Sequence, residues 1–448
     1  MNKKRKFKLS VWQLLALAYL GGTILGSILL ILPFATQDGQ ETSYLNALFT
    51  AASAVCITGL VPYDTATHWS IFGQLVILLL IQTSGLGFMT LVSAMFLIFK
   101  RGIGIGSRIA FMMDSRGKYN GVGTLLRRIV VGTALCETVG ALILMIRFIP
   151  DFGAAKGIYF SVWHSVSAFC NAGFDLMGTV ENGGFVSLTA YVGDPIVTLT
   201  LSALIILGGL GFCVWGDIID CKFNYRKFQL NTKVVLIVNL ILITAGTLLF
   251  LLFERDTFSD LNFGQRLLAS FFGSVTPRTA GFNTVDNAAL SESGYLLTVL
   301  LMFIGGGSGS TAGGIRVGTF AVVITGMIAV CRGRRDINMG KRRIEYSLLS
   351  QALAILVACL MVLIISVMTI CTIEPTATFK AVLFECVSAL SNTGLSLSLT
   401  PHLAAASKVI IILLMYAGRV GILTLTLALG EKKTAAEIRR PIDSLLIG

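Results

Sequence analysis

Ser53–Leu60 reads SAVCITGL, and three later segments echo it: SAFCNAGF at Ser167–Phe174, VTPRTAGF at Val275–Phe282 and SALSNTGL at Ser388–Leu395. The glycine is seventh in every phrase, at Gly59, Gly173, Gly281 and Gly394, and successive copies lie 114, 108 and 113 residues apart. An aromatic residue stands ten positions before each of them: Phe49, Trp163, Phe271 and Phe384. A register held four times is an internal repeat, so the fold reads as one unit built four times.

The flanking sequence says where the unit sits. Of 448 residues, 55% are hydrophobic and 13% charged, which is too apolar for a soluble surface. Apolar runs of about 20 residues, long enough to cross hydrocarbon as helix, begin near Val11, Ile71, Val130, Pro195, Val234, Tyr295, Leu348 and Lys408. They predict an all-α, multi-pass integral membrane protein with eight spans. The first run follows MNKKRKFK but reaches Leu32 without a small-residue cleavage pattern, so it reads as a retained helix. Five predicted cytoplasmic segments hold 26 of the 35 Lys and Arg. This bias puts both termini in the cytoplasm and the four phrases in outer connections after the odd spans. Sorted by membrane side in this way, the net charge of +12 points to membrane lipid and away from nucleic acid. Nine cysteines without a CxxC pair suggest neither a disulfide framework nor a zinc site.

Each phrase follows a short apolar stretch, such as Tyr44–Ala54 or Ala381–Ala389, sufficient for a helix of about ten residues that reaches halfway through a bilayer. The chain must dip in from outside and turn back. Backbone that leaves a helix at that depth is tolerated only where protein buries it or water lines it, so the four loops are expected to meet on one axis. A half-helix entering from outside points its partially negative end inward, and the carbonyls beyond it can replace the water around a dehydrated cation. Glycine suits the turn, and the small side chains of Thr58, Ala172, Ala280 and Thr393 leave room for convergence. The predicted units are residues 1–100 (loop 55–60), 101–221 (loop 169–174), 222–335 (loop 277–282) and 336–448 (loop 390–395).

This pattern resembles the Trk/Ktr/HKT superfamily of potassium transporters, specifically the membrane subunit of a bacterial Ktr-type uptake system. The resemblance covers nearly the whole chain and is most specific at VTPRTAGFN (Val275–Asn283), MFIGGGSGSTAGGIRVGTF (Met302–Phe320) and MYAGRVGILT (Met415–Thr424). It implies four pseudo-symmetric membrane helix, pore helix, membrane helix units around a central pore. Its selectivity filter would be formed by Ile57, Thr58 and Gly59; Asn171, Ala172 and Gly173; Thr279, Ala280 and Gly281; and Asn392, Thr393 and Gly394, with potassium held by their backbone carbonyls. It also implies an intramembrane gate in the sixth predicted span at Gly305, Gly306, Gly307, Ser308, Gly309, Ser310, Thr311, Ala312, Gly313 and Gly314. A homodimer in the bacterial plasma membrane and a separate cytoplasmic nucleotide-binding subunit of the RCK/KTN type complete what the family implies. The basic loops Lys100–Arg128 and Arg332–Arg343 are candidate docking surfaces for that subunit or simply positive-inside anchors.

The residues themselves bear on the same points. A single helix over Tyr295–Val330 would be about 54 Å long against a hydrocarbon core of about 30 Å, so the span must break, and GGGSGSTAGG is where glycine and polarity break it. The break reads as a gate or as a passive kink. Arg419, in the middle of the eighth span, is costly there. It either faces the pathway as an electrostatic barrier or pairs with Glu137 or with carbonyls of the broken helix. Glu137 and Glu385 are expected to hydrogen-bond re-entrant loops, Asp175 to belong to the outer mouth, and His68, His164 and His402 lack ligand spacing.

An enzyme is not indicated. GGSG at Gly306–Gly309 matches an intramembrane serine-protease phrase, but the only downstream histidine, His402, lies in an outer loop. GIGIG at Gly102–Gly106 and GGLGF at Gly208–Phe212 read as a turn and as close helix packing. A secondary transporter of another small solute, with broken helices about a midplane site, is the alternative, as is a less selective monovalent cation channel. Repeats running in one direction and a single interrupted span argue for a pore. The expected function is potassium uptake, with sodium possible, and no cofactor in this chain.

Overall fold

The computed structural model describes residues 11–37, 40–86, 122–179, 184–334 and 336–421. It is mostly helical; a two-stranded antiparallel hairpin pairs Ile337–Met339 with Arg342–Ile344. Among the described residues three helices are long and apolar enough to cross a membrane: Arg127–Phe152, Leu230–Phe253 and Tyr346–Ile373. They correspond to the third, fifth and seventh predicted spans. The first, second, sixth and eighth appear as shorter helices, at Val11–Leu30, Ile71–Gly85, Glu292–Phe303 with Val317–Cys331, and Ala405–Val420, and the fourth as a bent pair, Pro195–Leu210 and Phe212–Asp220. The apolar sequence of the second and eighth predicted spans extends past the described residues. Also outside them lie the N-terminal basic segment, GIGIG, the end of MYAGRVGILT, and all but the last residues of the Lys100–Arg128 loop.

Before each repeated glycine stands a short helix: Tyr44–Cys56, Ala154–Phe169, Phe263–Val275 and Phe379–Ser391. Side-chain caps set the starts of three of them. Ser43 and Thr378 accept from Asn46 N and Ala381 N, and Asn262 with Gln265 forms a capping box. At 13 residues in three cases and 16 in one, they are longer than the expected ten. At about 1.5 Å per residue they still fall short of a crossing. Three end with the same backbone bond, Thr58 N to Ser53 O, Ala172 N to Ser167 O and Thr393 N to Ser388 O, which closes the last turn and reverses the chain. Phe49, Trp163 and Phe384 are fully buried; in the third unit Phe272 takes that place and Phe271 is part-exposed.

The sixth span is broken where glycine and polarity predicted. Helix stops at Phe303 and resumes at Val317, and the intervening loop is pinched at its base by Gly305 N to Ile315 O (2.9 Å) and Val317 N to Gly306 O (3.0 Å). The expectation that only one span is interrupted needs correction. The fourth is also broken, Pro195–Leu210 meeting Phe212–Asp220 at 89°. Gly211 sits at the corner with φ +99°, open to glycine and strained for other residues. GGLGF is therefore a hinge in the backbone and not merely a packing face.

Candidate functional site

The four repeated loops meet, and they meet in cyclic order. A Cβ added to Gly59 would lie 2.6 Å from Ala172 O; one on Gly173, 2.6 Å from Ala280 O; one on Gly281, 2.6 Å from Thr393 O; and one on Gly394 would strike Thr58 O. Each glycine thus faces the carbonyl of the next unit, and the fourth closes on the first. The glycines have φ of +89°, +70°, +86° and +89°. Two positions earlier, Ile57, Asn171, Thr279 and Asn392 are also left-handed, at +56°, +58°, +70° and +54°. The residues between, Thr58, Ala172, Ala280 and Thr393, are fully buried. All twelve sequence-predicted loop residues are therefore in one cluster.

Side chains hold this backbone from behind. Ser53 Oγ accepts from Gly59 N and Ser388 Oγ from Gly394 N, both at 3.0 Å, and Ser167 Oγ accepts from Phe174 N at 3.0 Å. The third phrase begins with Val275, and there Thr276 donates to Phe282 O instead. Trp163 Nε1 also donates to Phe174 O, at 2.9 Å. Between loops, Asn392 Nδ2 donates to Thr58 Oγ1 (2.9 Å) and Asn171 Nδ2 to Thr279 Oγ1 (3.4 Å). The two Asn loops each grip the following loop, which makes the ring twofold in its side chains although fourfold in its glycines.

The Gly305–Gly314 loop is pressed against this ring. Thr311 Oγ1 donates to Asn171 Oδ1 (3.3 Å) and Phe169 O (3.4 Å), and Gly313 lacks room for a Cβ beside Ser391 O, 2.6 Å away. The loop also zips onto the broken fourth span through Gly307 N to Gly209 O (2.8 Å), Phe212 N to Gly309 O (3.1 Å) and Thr311 N to Gly208 O (3.4 Å). Arg419, 7% exposed, donates to Thr311 O and, at 2.8 Å, to Ser84 O. Of its possible structural partners, then, carbonyls of the broken helix are used. Glu137 is not; its carboxylate accepts from Gln82 Nε2 at 3.1 Å. A cavity of about 280 Å³ lies beside the loop, lined by Arg316, Arg419, Thr319 and Cys359 among others.

Glu385 accepts from Ser396 Oγ and from Thr400 N (3.2 Å) and Oγ1 (2.9 Å), fastening the segment after the fourth loop as expected. Asp175 lies two residues past Gly173, and burial, then the charge of Asp64, pushes its carboxyl up to about 7. His68 is held by Thr42 and Gln40, and His164 by Phe160 O. Among the described residues no cluster of His, Cys, Asp or Glu is placed to hold a metal. Sequence reasoning missed the fourth-span seat, whose signal was three glycines in four residues, and the serine props, whose signal was the first letter of three phrases.

Residues 22–435 match the TrkH family model, described as a cation transport protein. The chain belongs to the TrkH family of cation transport proteins. It is 40% identical to the potassium/sodium uptake protein NtpJ of Enterococcus hirae, with 100% of this chain and 99% of that protein aligned. It is 38% identical to the Ktr system potassium uptake protein B of Bacillus subtilis, over 97% and 96% of the two chains. The crystal structure of the potassium transporter TrkH from Vibrio parahaemolyticus shares the fold, with a TM-score of 0.74 at 18% identity, covering 96% of this chain and 87% of that one. The Trk/Ktr resemblance read from the loops is therefore that of a membrane transport family, not of an enzyme.

Proposed function

We propose that this protein takes up potassium through a single pathway whose selectivity filter is the ring of four loops. The observation that carries the reading is the cyclic closure, in which every glycine abuts the next unit's carbonyl with no space for a side chain. Carbonyls held this way can replace an ion's hydration without placing a formal charge in its path. The names of the relatives from Enterococcus hirae and Bacillus subtilis supply the ion, and the first adds sodium, so less strict selectivity or sodium dependence stands as the second reading.

Eight spans form four units, 1–100, 101–221, 222–335 and 336–448, with both termini in the cytoplasm of a bacterial cell. The Gly305–Gly314 loop is the gate, fastened by Thr311 to the ring and by Arg419 to the eighth span, with the adjacent cavity as room for its displacement. Arg419 serves as latch and as electrostatic barrier together. Control comes from a cytoplasmic RCK/KTN-type nucleotide-binding subunit on a homodimer; the naming of a Ktr "system" in the Bacillus relative fits a multi-component assembly. The ion is substrate, and no cofactor is assigned to this chain.

Growth rescue of a potassium-uptake-deficient bacterium at limiting potassium tests the filter. Gly281→Ser is expected to abolish rescue, because its Cβ has Thr393 O at 2.6 Å and Gly173 Cα at 3.0 Å. Rescue indistinguishable from wild type would remove the filter assignment.

A further inference from the structure

The third loop differs from the others in carrying a charge. The residue immediately before the first left-handed position is Cys56, Cys170 and Ser391 in three units, but Arg278 in the third. Arg278 is 7% exposed. Its guanidinium donates to Asn239 Oδ1 in the Leu230–Phe253 helix, and Asn239 Nδ2 in turn donates to Val235 O at 2.6 Å. Arg278 Nε has no hydrogen-bond partner, and among the described residues the guanidinium meets this neutral amide and not a carboxylate. A buried cation left without an anion is costly and keeps most of its field. Arg278 N donates to Val275 O (3.2 Å), the last residue of the Phe263–Val275 helix, so the residue follows directly on the partially negative end of that helix while its guanidinium reaches Asn239. In the other three units that end is left to act on whatever occupies the ring.

We propose that Arg278 sets how strongly the ring holds its cation, an inference that rests on the filter reading. One protein cation beside one of four loops cancels part of the negative potential that the short helices deliver. It weakens ion binding from one side, and conduction needs an ion that leaves as readily as it enters. Arg278 touches no ion; it acts through its field and through the loop it adjoins.

The test is the concentration dependence of potassium uptake in cells or proteoliposomes. Arg278→Gln is expected to lower the KM for potassium by about three- to tenfold, with Arg278→Lys near wild type because it keeps the charge. Removing the guanidinium can also loosen the loop, so Asn239→Asp provides a second route: it leaves Arg278 in place and gives it a carboxylate. A field effect lowers KM there too, whereas a purely structural role leaves KM unchanged. If Arg278→Gln does not accumulate in the membrane, Asn239→Asp decides alone. Unchanged KM in Asn239→Asp at normal abundance, or Arg278→Lys behaving like Arg278→Gln, overturns the proposal. Failure of the filter reading looks different, since Gly281→Ser would then transport normally.

Discussion

Two kinds of residue take left-handed backbone in the ring, and only one announces itself. Glycines at 59, 173, 281 and 394 accept positive φ without cost, and Asn171 and Asn392 tolerate it. Ile57 and Thr279 are β-branched and strained at +56° and +70°. Nothing in their side chains signals that geometry; only their place in the repeat does. Asp175 shows how surroundings override residue type in the same way. Its unfolded carboxyl ionises in the ordinary acidic range, while in the folded protein burial, and secondarily Asp64, hold the proton to about pH 7. A carboxyl raised on folding contributes stability below its unfolded value and loses it as pH rises through the folded one. Asp175→Asn should therefore raise thermal stability more at pH 8 than at pH 5, by a difference on the order of 1 kcal/mol. Melting in detergent at the two pH values checks this, and an equal shift at both would contradict it.

At the scale of elements, the two broken helices illustrate what hydropathy can and cannot reveal. GGGSGS in the sixth span interrupts an apolar run with polarity, so its break was legible. GGLGF in the fourth leaves the run apolar and hides a bend of 89°. The bend exists to be docked against: it exposes backbone groups at Gly208, Gly209 and Phe212 that the Gly305–Gly314 loop satisfies. Both sides are glycine-rich because the two backbones touch. The glycines are not equivalent, however. A Cβ on Gly306 would come within 2.7 Å of Gly209 O, while one on Gly209 meets nothing closer than Asn171 Nδ2 at 3.6 Å. If the loop is the gate and the bend its seat, Gly306→Ala should unseat it and raise resting potassium flux several-fold. Gly209→Ala should leave flux unchanged. Rubidium tracer uptake into proteoliposomes holding this chain alone distinguishes the variants; wild-type flux in Gly306→Ala at normal abundance would separate the loop from gating.

For the whole molecule, the closed ring of loops sets the C-terminal, partially negative ends of four short helices around a shared centre. If that ring is the proposed pathway, the driving force for a cation comes from the membrane itself. A potential of 100 mV contributes about 2.3 kcal/mol per charge, equivalent to about fifty-fold accumulation at equilibrium. Proteoliposomes holding this chain alone, with an imposed inside-negative potential and no sodium on either side, should concentrate potassium toward that ratio and no further. Accumulation beyond it under an inward sodium gradient, or none without sodium, would mean that the ring couples two ions. The twofold Asn and Thr pattern would then be where to seek the second site, because Asn392 to Thr58 and Asn171 to Thr279 are side-chain contacts between loops. Sequence made the fourfold scaffold readable through its glycines. The twofold departure from it arises from contacts between residues more than a hundred positions apart, which only the folded ring brings together.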